Sequence, residues 1–85
     1  MQVKELEILI QQHIPDCQVK VQSEDNHHFE AVVISDNFEN KKLLERQRLV
    51  LQVVNPYLLD GSLHAFSFKT YTVAQWSNKK NLEDR

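Results

Sequence analysis

The sequence is short of residues that give a backbone slack or a side chain reactivity. Its 85 residues include one glycine, one cysteine, two prolines and one tryptophan. A single glycine cannot build a Gly-rich phosphate-binding loop, which excludes that class of nucleotide site. A single cysteine, Cys17, has no partner for an internal disulfide and makes no CxxC zinc motif, which fits a reducing compartment. No apolar run approaches the roughly 20 residues that span a bilayer. The opening stretch "MQVKELEILIQQ" sets charges among its apolar residues, unlike a secretory signal. The expected location is therefore the cytoplasm, with no membrane partner; a mitochondrial form whose presequence has been removed would read the same way. The formal charge is −2, so no whole-molecule field draws a polyanion, and nucleic-acid binding would need a local basic patch.

What is present suits one small domain spanning 1–85. With 41% hydrophobic and 26% charged residues, the composition is that of a folded chain rather than a disordered one. A chain this short buries only about 60–65% of its unfolded surface, so the core must be compact. Val3, Leu6, Leu9 and Ile10 fall at helical spacing and Pro15 ends the run, which predicts a helix over 3–13. "CQVKVQ" alternates strictly, as a half-buried strand does, and "SEDN" is turn chemistry. "HFEAVVIS" holds the unbroken apolar run Ala31–Ile34 and reads as a more central strand. A second helix is expected from Lys41 to Val54, stopped by Pro56, with "PYLLDG" as one more short helical turn closed by Gly61. "HAFSFKTY" is the third strand. Thr72 then caps a last helix in which Val73 and Trp76 pack at i, i+3.

This order fixes much of the geometry. The short turn makes the first two strands an antiparallel hairpin. The long, helix-containing connection to the third strand is a crossover, which makes strands two and three parallel if they are neighbours. Parallel neighbours start at the same end of the sheet. His27, His28 and His64 are then brought together there.

For His64 the plain alternative is a strand-end histidine bonded to a backbone carbonyl. Two imidazoles are too few for an isolated zinc site, but they can supply half the shell of a metal centre shared with a second protein. Imidazole suits iron, copper and zinc alike. Adjacent strand residues point to opposite faces, so at most one of His27 and His28 shares the face of His64. His13 fits the C-terminal dipole of the first helix and has no site role. Cys17 reads as a small core residue. No nucleophile–base arrangement is present, so no enzyme activity is expected. Basic residues gather at Lys41, Lys42, Arg46 and Arg48, and again at Lys79 and Lys80. With Glu39 and Glu45 beside them, Lys41 and Lys42 also fit a solvated helix face. The order is compatible with a KH-like nucleic-acid fold, but the GxxG clamp of KH domains is absent.

Two segments, "HFEAVVISDNFENKKLLERQRLV" and "GSLHAFSFKTYTVAQW", together carry a strand ending in serine followed by "xxF", a helix with "LLERQRLV", and an ending of the form "[IVL]HAxxxKxxTxxxW". In these the chain resembles the BolA family over nearly its whole length. The histidine before Phe29 makes it similar to the family's bacterial acid-stress branch. The resemblance implies an α+β, two-layer αββααβα fold of class II KH-like topology, with a three-stranded mixed sheet and helices on one face. It implies partnership with a monothiol (CGFS) glutaredoxin and a 2Fe–2S cluster held jointly with the glutaredoxin cysteine and a glutathione thiol, none being expected on the isolated protein. The free form is then a monomer or a weak homodimer. The family's most constant ligand is the histidine of the "HA" motif, here His64. The second comes from the loop between strands one and two, where His28 aligns with the "HF" of the acid-stress branch and is favoured over His27. The loop cysteine of some relatives is missing, since Cys17 lies outside that loop. Metal-bound imidazole is unprotonated and free imidazole titrates near pH 6.5, so a shared cluster should become labile as the pH falls towards about 5–6. The resemblance also allows, as the alternative, a DNA-binding transcriptional regulator that uses Lys41, Lys42, Arg46 and Arg48.

Overall fold

The computed structural model describes residues 1–83; the side chains of 80–83, Lys80 of the second basic group among them, lie outside the described residues. The elements run α1 (Val3–His13), β1 (Cys17–Gln22), β2 (His28–Ser35), a 3-10 turn (Asp36–Phe38), α2 (Leu43–Leu59), β3 (Ala65–Tyr71) and α3 (Val73–Glu83). The sheet order is β1-β2-β3. β1 pairs antiparallel with β2, with Val19 opposite Val33, and β2 pairs parallel with β3, with His28 opposite Ala65.

Register sorts the side chains by face. Val21, Phe29, Ala31 and Val33 join Leu6, Ile10 and Ile14 of the α1 segment and Val50 and Val54 of α2 in one core. Phe38 and Leu63, both fully buried, close its ends. α1 stops where expected: Ile14 is held extended at φ −115°, ψ 114°, as a residue before proline must be. Glu7 of α1 reaches the outer edge of β1, where its carboxylate accepts the Val21 N–H at 3.1 Å. Ser35, wholly buried, donates its hydroxyl to the Pro15 carbonyl at 2.9 Å and accepts the Asn37 N–H at 3.0 Å. The serine that ends β2 thus ties the α1–β1 turn to the 3-10 turn.

Two expectations are corrected. Pro56 does not stop α2, which continues to Leu59. A proline lacks only its own N–H, and the carbonyl it leaves unbonded, that of Gln52, lies with Pro56 on the exposed side, where water replaces the lost partner. The extra helical turn therefore precedes α2, in "DNF", instead of following it. The helices are also not all on one face. α1 and α2 cover the Val33 face, whereas α3 engages the other: its Trp76 lies 5.3 Å from the Tyr71 ring and shares a groove with Val32 and Ile34. The α3 start is a reciprocal cap, Thr72 Oγ1 accepting the Gln75 N–H at 3.1 Å and Gln75 Oε1 accepting the Thr72 N–H at 2.9 Å, as a Thr-x-x-Gln box does. Among the described residues no helix is long and apolar enough to cross a membrane.

Candidate metal centre

The turn between β1 and β2 is organised by Asp25. Its Oδ1 accepts the N–H groups of His27 and His28, each at 2.9 Å, and its Oδ2 accepts Nδ1–H of His28 at 2.8 Å. These three bonds, that from the His28 amide foremost, hold the Asp25 carboxyl well below the usual carboxylate range. Ser23 closes the turn, its hydroxyl donating to the His28 carbonyl at 2.7 Å and accepting the Asn26 N–H at 3.0 Å. Asn26 takes up the left-handed conformation, φ 60°, which asparagine tolerates better than most residues. One further bond fastens the turn to the sheet: the Ala65 N–H donates to the His27 carbonyl at 3.1 Å.

The result separates the adjacent histidines. His27 meets His64, ring centroids 5.2 Å apart and planes inclined at 61°. His28 begins β2 and is turned to Asp25, its side chain 78% exposed. The structure therefore brings His27, not the favoured His28, to His64. Asp25 takes the His28 ring, and the change of direction between neighbouring residues gives His27 the side nearest the start of β3. His27 and His64 are both exposed. Among the described residues no group of three or more His, Cys, Asp or Glu could enclose a metal ion, so the pair is an open, two-donor arrangement. The residue missed by sequence reasoning is Asp25. Its signal was an Asp two and three residues ahead of the histidines, the spacing of an Asx turn.

The other candidates sit elsewhere. His13 Nδ1–H donates to the Leu9 carbonyl at 2.9 Å in the last turn of α1. Cys17 is half-buried opposite Ser35, at the other end of the sheet from the histidines. The basic group of α2 is divided. Lys41 donates to the Asn37 carbonyl instead of facing Glu39. Arg46 donates to the Lys41 carbonyl at 3.0 Å and to Gln75 at 2.9 Å, with its guanidinium 5.9 Å from the Phe38 ring centre. Lys42 and Arg48 stay exposed, so two of the four cations serve to join the 3-10 turn, α2 and α3. Lys79 is likewise engaged, its Nζ donating to the Tyr71 hydroxyl at 3.0 Å.

Comparison with known proteins agrees with this fold. Residues 1–75 match the family described as "BolA-like protein". An uncharacterized protein of Buchnera aphidicola (strain Bp) is 37% identical over 71 residues, 84% of this chain and 89% of its own. The acid stress protein IbaG of Escherichia coli K12 is 30% identical over 60 residues, 71% of each chain. Among solved structures, a bolA protein homologue from Coxiella burnetii superposes with a TM-score of 0.72 at 32% identity, covering 91% of this chain and 97% of the other. Yeast Fra2 does so with a TM-score of 0.71 at 32% identity, covering 100% of this chain and 94% of its own. By its sequence, its sheet order and its three helices, this chain belongs to the BolA-like family.

Proposed function

We propose that this protein is a non-enzymatic adaptor that shares a 2Fe–2S cluster with a monothiol glutaredoxin, in iron–sulfur cluster assembly or trafficking or in iron and stress regulation. The observation that carries the reading is the exposed His27–His64 pair, two imidazoles side by side with no third ligand beside them among the described residues. The donor set fits: neutral imidazole suits iron, and two donors from this chain leave the other positions to a partner's thiolates. When bound, the cluster supplies redox and transfer chemistry, and a mixed imidazole–thiolate shell sets its reduction potential above that of an all-thiolate one.

The chain's own part is presentation. His64 stands just ahead of β3 and His27 just ahead of β2, and the Ala65–His27 bond fixes one start against the other. Asp25 holds the turn's backbone and keeps the His28 ring away from the pair. Because both imidazoles are solvent-exposed, a partner reaches them without opening the core. The divided basic group on α2 speaks against the nucleic-acid reading, since Lys41 and Arg46 are committed inside the fold.

The test is visible absorption and circular dichroism of the complex co-purified with a monothiol glutaredoxin. His64→Ala and His27→Ala should each abolish or strongly alter the cluster bands, while His28→Ala leaves them in place. An unchanged spectrum in His64→Ala would refute the shared-cluster reading. Loss in His28→Ala with retention in His27→Ala would return the second ligand to His28. Tight DNA binding without glutaredoxin, falling steeply with salt, would favour the regulator instead.

A further inference from the structure

The face of the sheet turned away from α1 and α2 is only partly covered. Register lays its side chains out in rows across the strands. Gln18, Ile34 and Tyr71 form one row, Lys20, Val32 and Lys69 the next, and Gln22, Glu30 and Ser67 the third. α3 covers the Ile34 row, where Trp76 lies against Tyr71. The other two rows stay open and floor a groove of about 370 Å³, walled at one end by Tyr71 and Lys79. A groove of this volume is in the range that holds a small molecule.

Its charge is opposite to that of the chain. Three ammonium groups, those of Lys20, Lys69 and Lys79, border it with one carboxylate, Glu30, on a protein whose formal charge is −2. Lys20, Lys69 and Glu30 are exposed, and their side chains make no hydrogen bond or ion pair among the described residues. Lys69 thus has no packing or capping duty, unlike Thr72 and Trp76 of the same ending. Lys79 donates to the Tyr71 hydroxyl at 3.0 Å. The tyrosine oxygen accepts that bond and keeps its own proton to donate into the groove. The Cα atoms of Lys20 and Lys69 stand about 10 Å apart, two strand spacings. Val32 between them is much the shorter side chain, so both ammonium groups rise over it and can close on one anion from opposite sides.

We propose that this groove binds a 5′-phosphorylated ribose, as carried by a ribonucleoside monophosphate. The phosphate lies over Val32 between the Lys20 and Lys69 ammonium groups and accepts the Tyr71 hydroxyl, bonds strengthened by its charge. Glu30 stands two residues along β2 from Val32, about 6.6 Å away at roughly 3.3 Å per residue. That span is comparable to the reach of a ribose from its 5′-phosphate to its 2′,3′-diol. A carboxylate accepts the hydroxyls of such a diol, and Gln22 and Ser67 flank it with further polar groups. An anion without hydroxyls leaves Glu30 facing it unpaired, which sets the preference for the sugar. The groove includes neither His27 nor His64, so the site stands apart from the cluster reading.

The test is a titration of the isotope-labelled, metal-free full chain with AMP in about 0.1 M salt, followed through its amide shifts. Those of Lys20, Val32 and Lys69 should move and saturate with a Kd below about 1 mM. Lys20→Gln and Lys69→Gln should each weaken AMP binding roughly tenfold; circular dichroism confirms that each variant is folded. AMP should bind roughly tenfold tighter than 2′-deoxy-AMP. Glu30→Gln should erase that preference while tightening inorganic phosphate, two opposite changes that general destabilisation would not produce. Absence of saturation by about 10 mM AMP, or an AMP affinity equal to that of 2′-deoxy-AMP or inorganic phosphate, would overturn the site. Tighter binding of single-stranded RNA without a 5′-phosphate, shifting the same amides, would give the face to a polynucleotide backbone and overturn it too.

Discussion

The only thiol in the chain should be slow to react. Cys17 is half-buried at the first position of β1, and burial pushes its pKa up from 9.0 to about 11. The thiolate is the reactive form. At pH 8 a thiol titrating near 9 is about 10% ionised and one near 11 about 0.1%, so iodoacetamide should modify the folded protein roughly a hundredfold more slowly than the urea-unfolded chain. The same shift acts on stability. Below pH 9 both states keep the proton and the contribution is complete. Above it the unfolded chain ionises first, so stability falls until about pH 11, where the folded thiol also ionises, and is level beyond. At a half-exposed site the loss is about 1 kcal/mol once solvent screening is allowed for. The histidines are remote: along β2 the distance from His28 to Ser35, the partner of Cys17, is about 23 Å at roughly 3.3 Å per residue. Cys17→Ala should accordingly leave cluster spectra of the glutaredoxin complex unchanged. Native reactivity within about threefold of the unfolded chain at pH 8 would refute the desolvation argument, and lost cluster bands in Cys17→Ala would refute the placement.

Gly61 adopts φ +83° with nothing within 4 Å of where a Cβ would stand, so Gly61→Ala carries a conformational cost alone, about 1 kcal/mol; the urea midpoint should drop with an unchanged m-value, and an unmoved midpoint would show that the turn relaxes freely. Thr72→Ala removes half of the α3 cap and should cost about 1 kcal/mol in the same assay. Phe38→Ala empties a wholly buried site and should cost about 3–5 kcal/mol, a large share of the roughly 4–13 kcal/mol expected of a chain this size; a loss under about 1 kcal/mol would mean the site collapses. Asp25→Ala should speed amide exchange at His27 and His28, whose N–H groups it now holds. With its carboxyl held below the usual range, the support Asp25 gives is complete above about pH 4 and is lost as the pH falls through and below that value, so release of its bonds should show as a change in the His27 and His28 amide shifts below about pH 4, absent in Asp25→Ala.

The strands were legible because their signals are local. Strict alternation in "CQVKVQ" marked a strand with one wet face, and the apolar run in "AVVI" marked one with neighbours on both edges. The parallel pairing of β2 and β3 followed from the length of the connection. Pro56 misled because proline's helix-ending effect is a cost and not a prohibition, and here the carbonyl left unbonded, that of Gln52, is on the exposed side, where water takes it. The position of α3 was hidden for a different reason. Val73 and Trp76 show that the helix has a packing side, but which face of the sheet receives it depends on the Thr72 turn and on Tyr71 being of opposite parity to Thr70. At the site, the meeting of two sheet-end histidines came from topology. The choice between His27 and His28 rests on a carboxylate two and three residues earlier, a contact that strand periodicity cannot express.

The bond between Glu7 and the Val21 amide bears on assembly. It occupies the outer margin of β1, where a further strand would otherwise extend the ladder. A sheet with two free margins can add neighbours from either side without limit and so lengthen into a fibre; the Glu7 carboxylate, seated on the Val21 amide, obstructs one of these margins at that position. The α1 side chain thus guards the sheet against edge-to-edge growth, and Glu7→Gln, which removes its charge, should make the chain more prone to associate through β1.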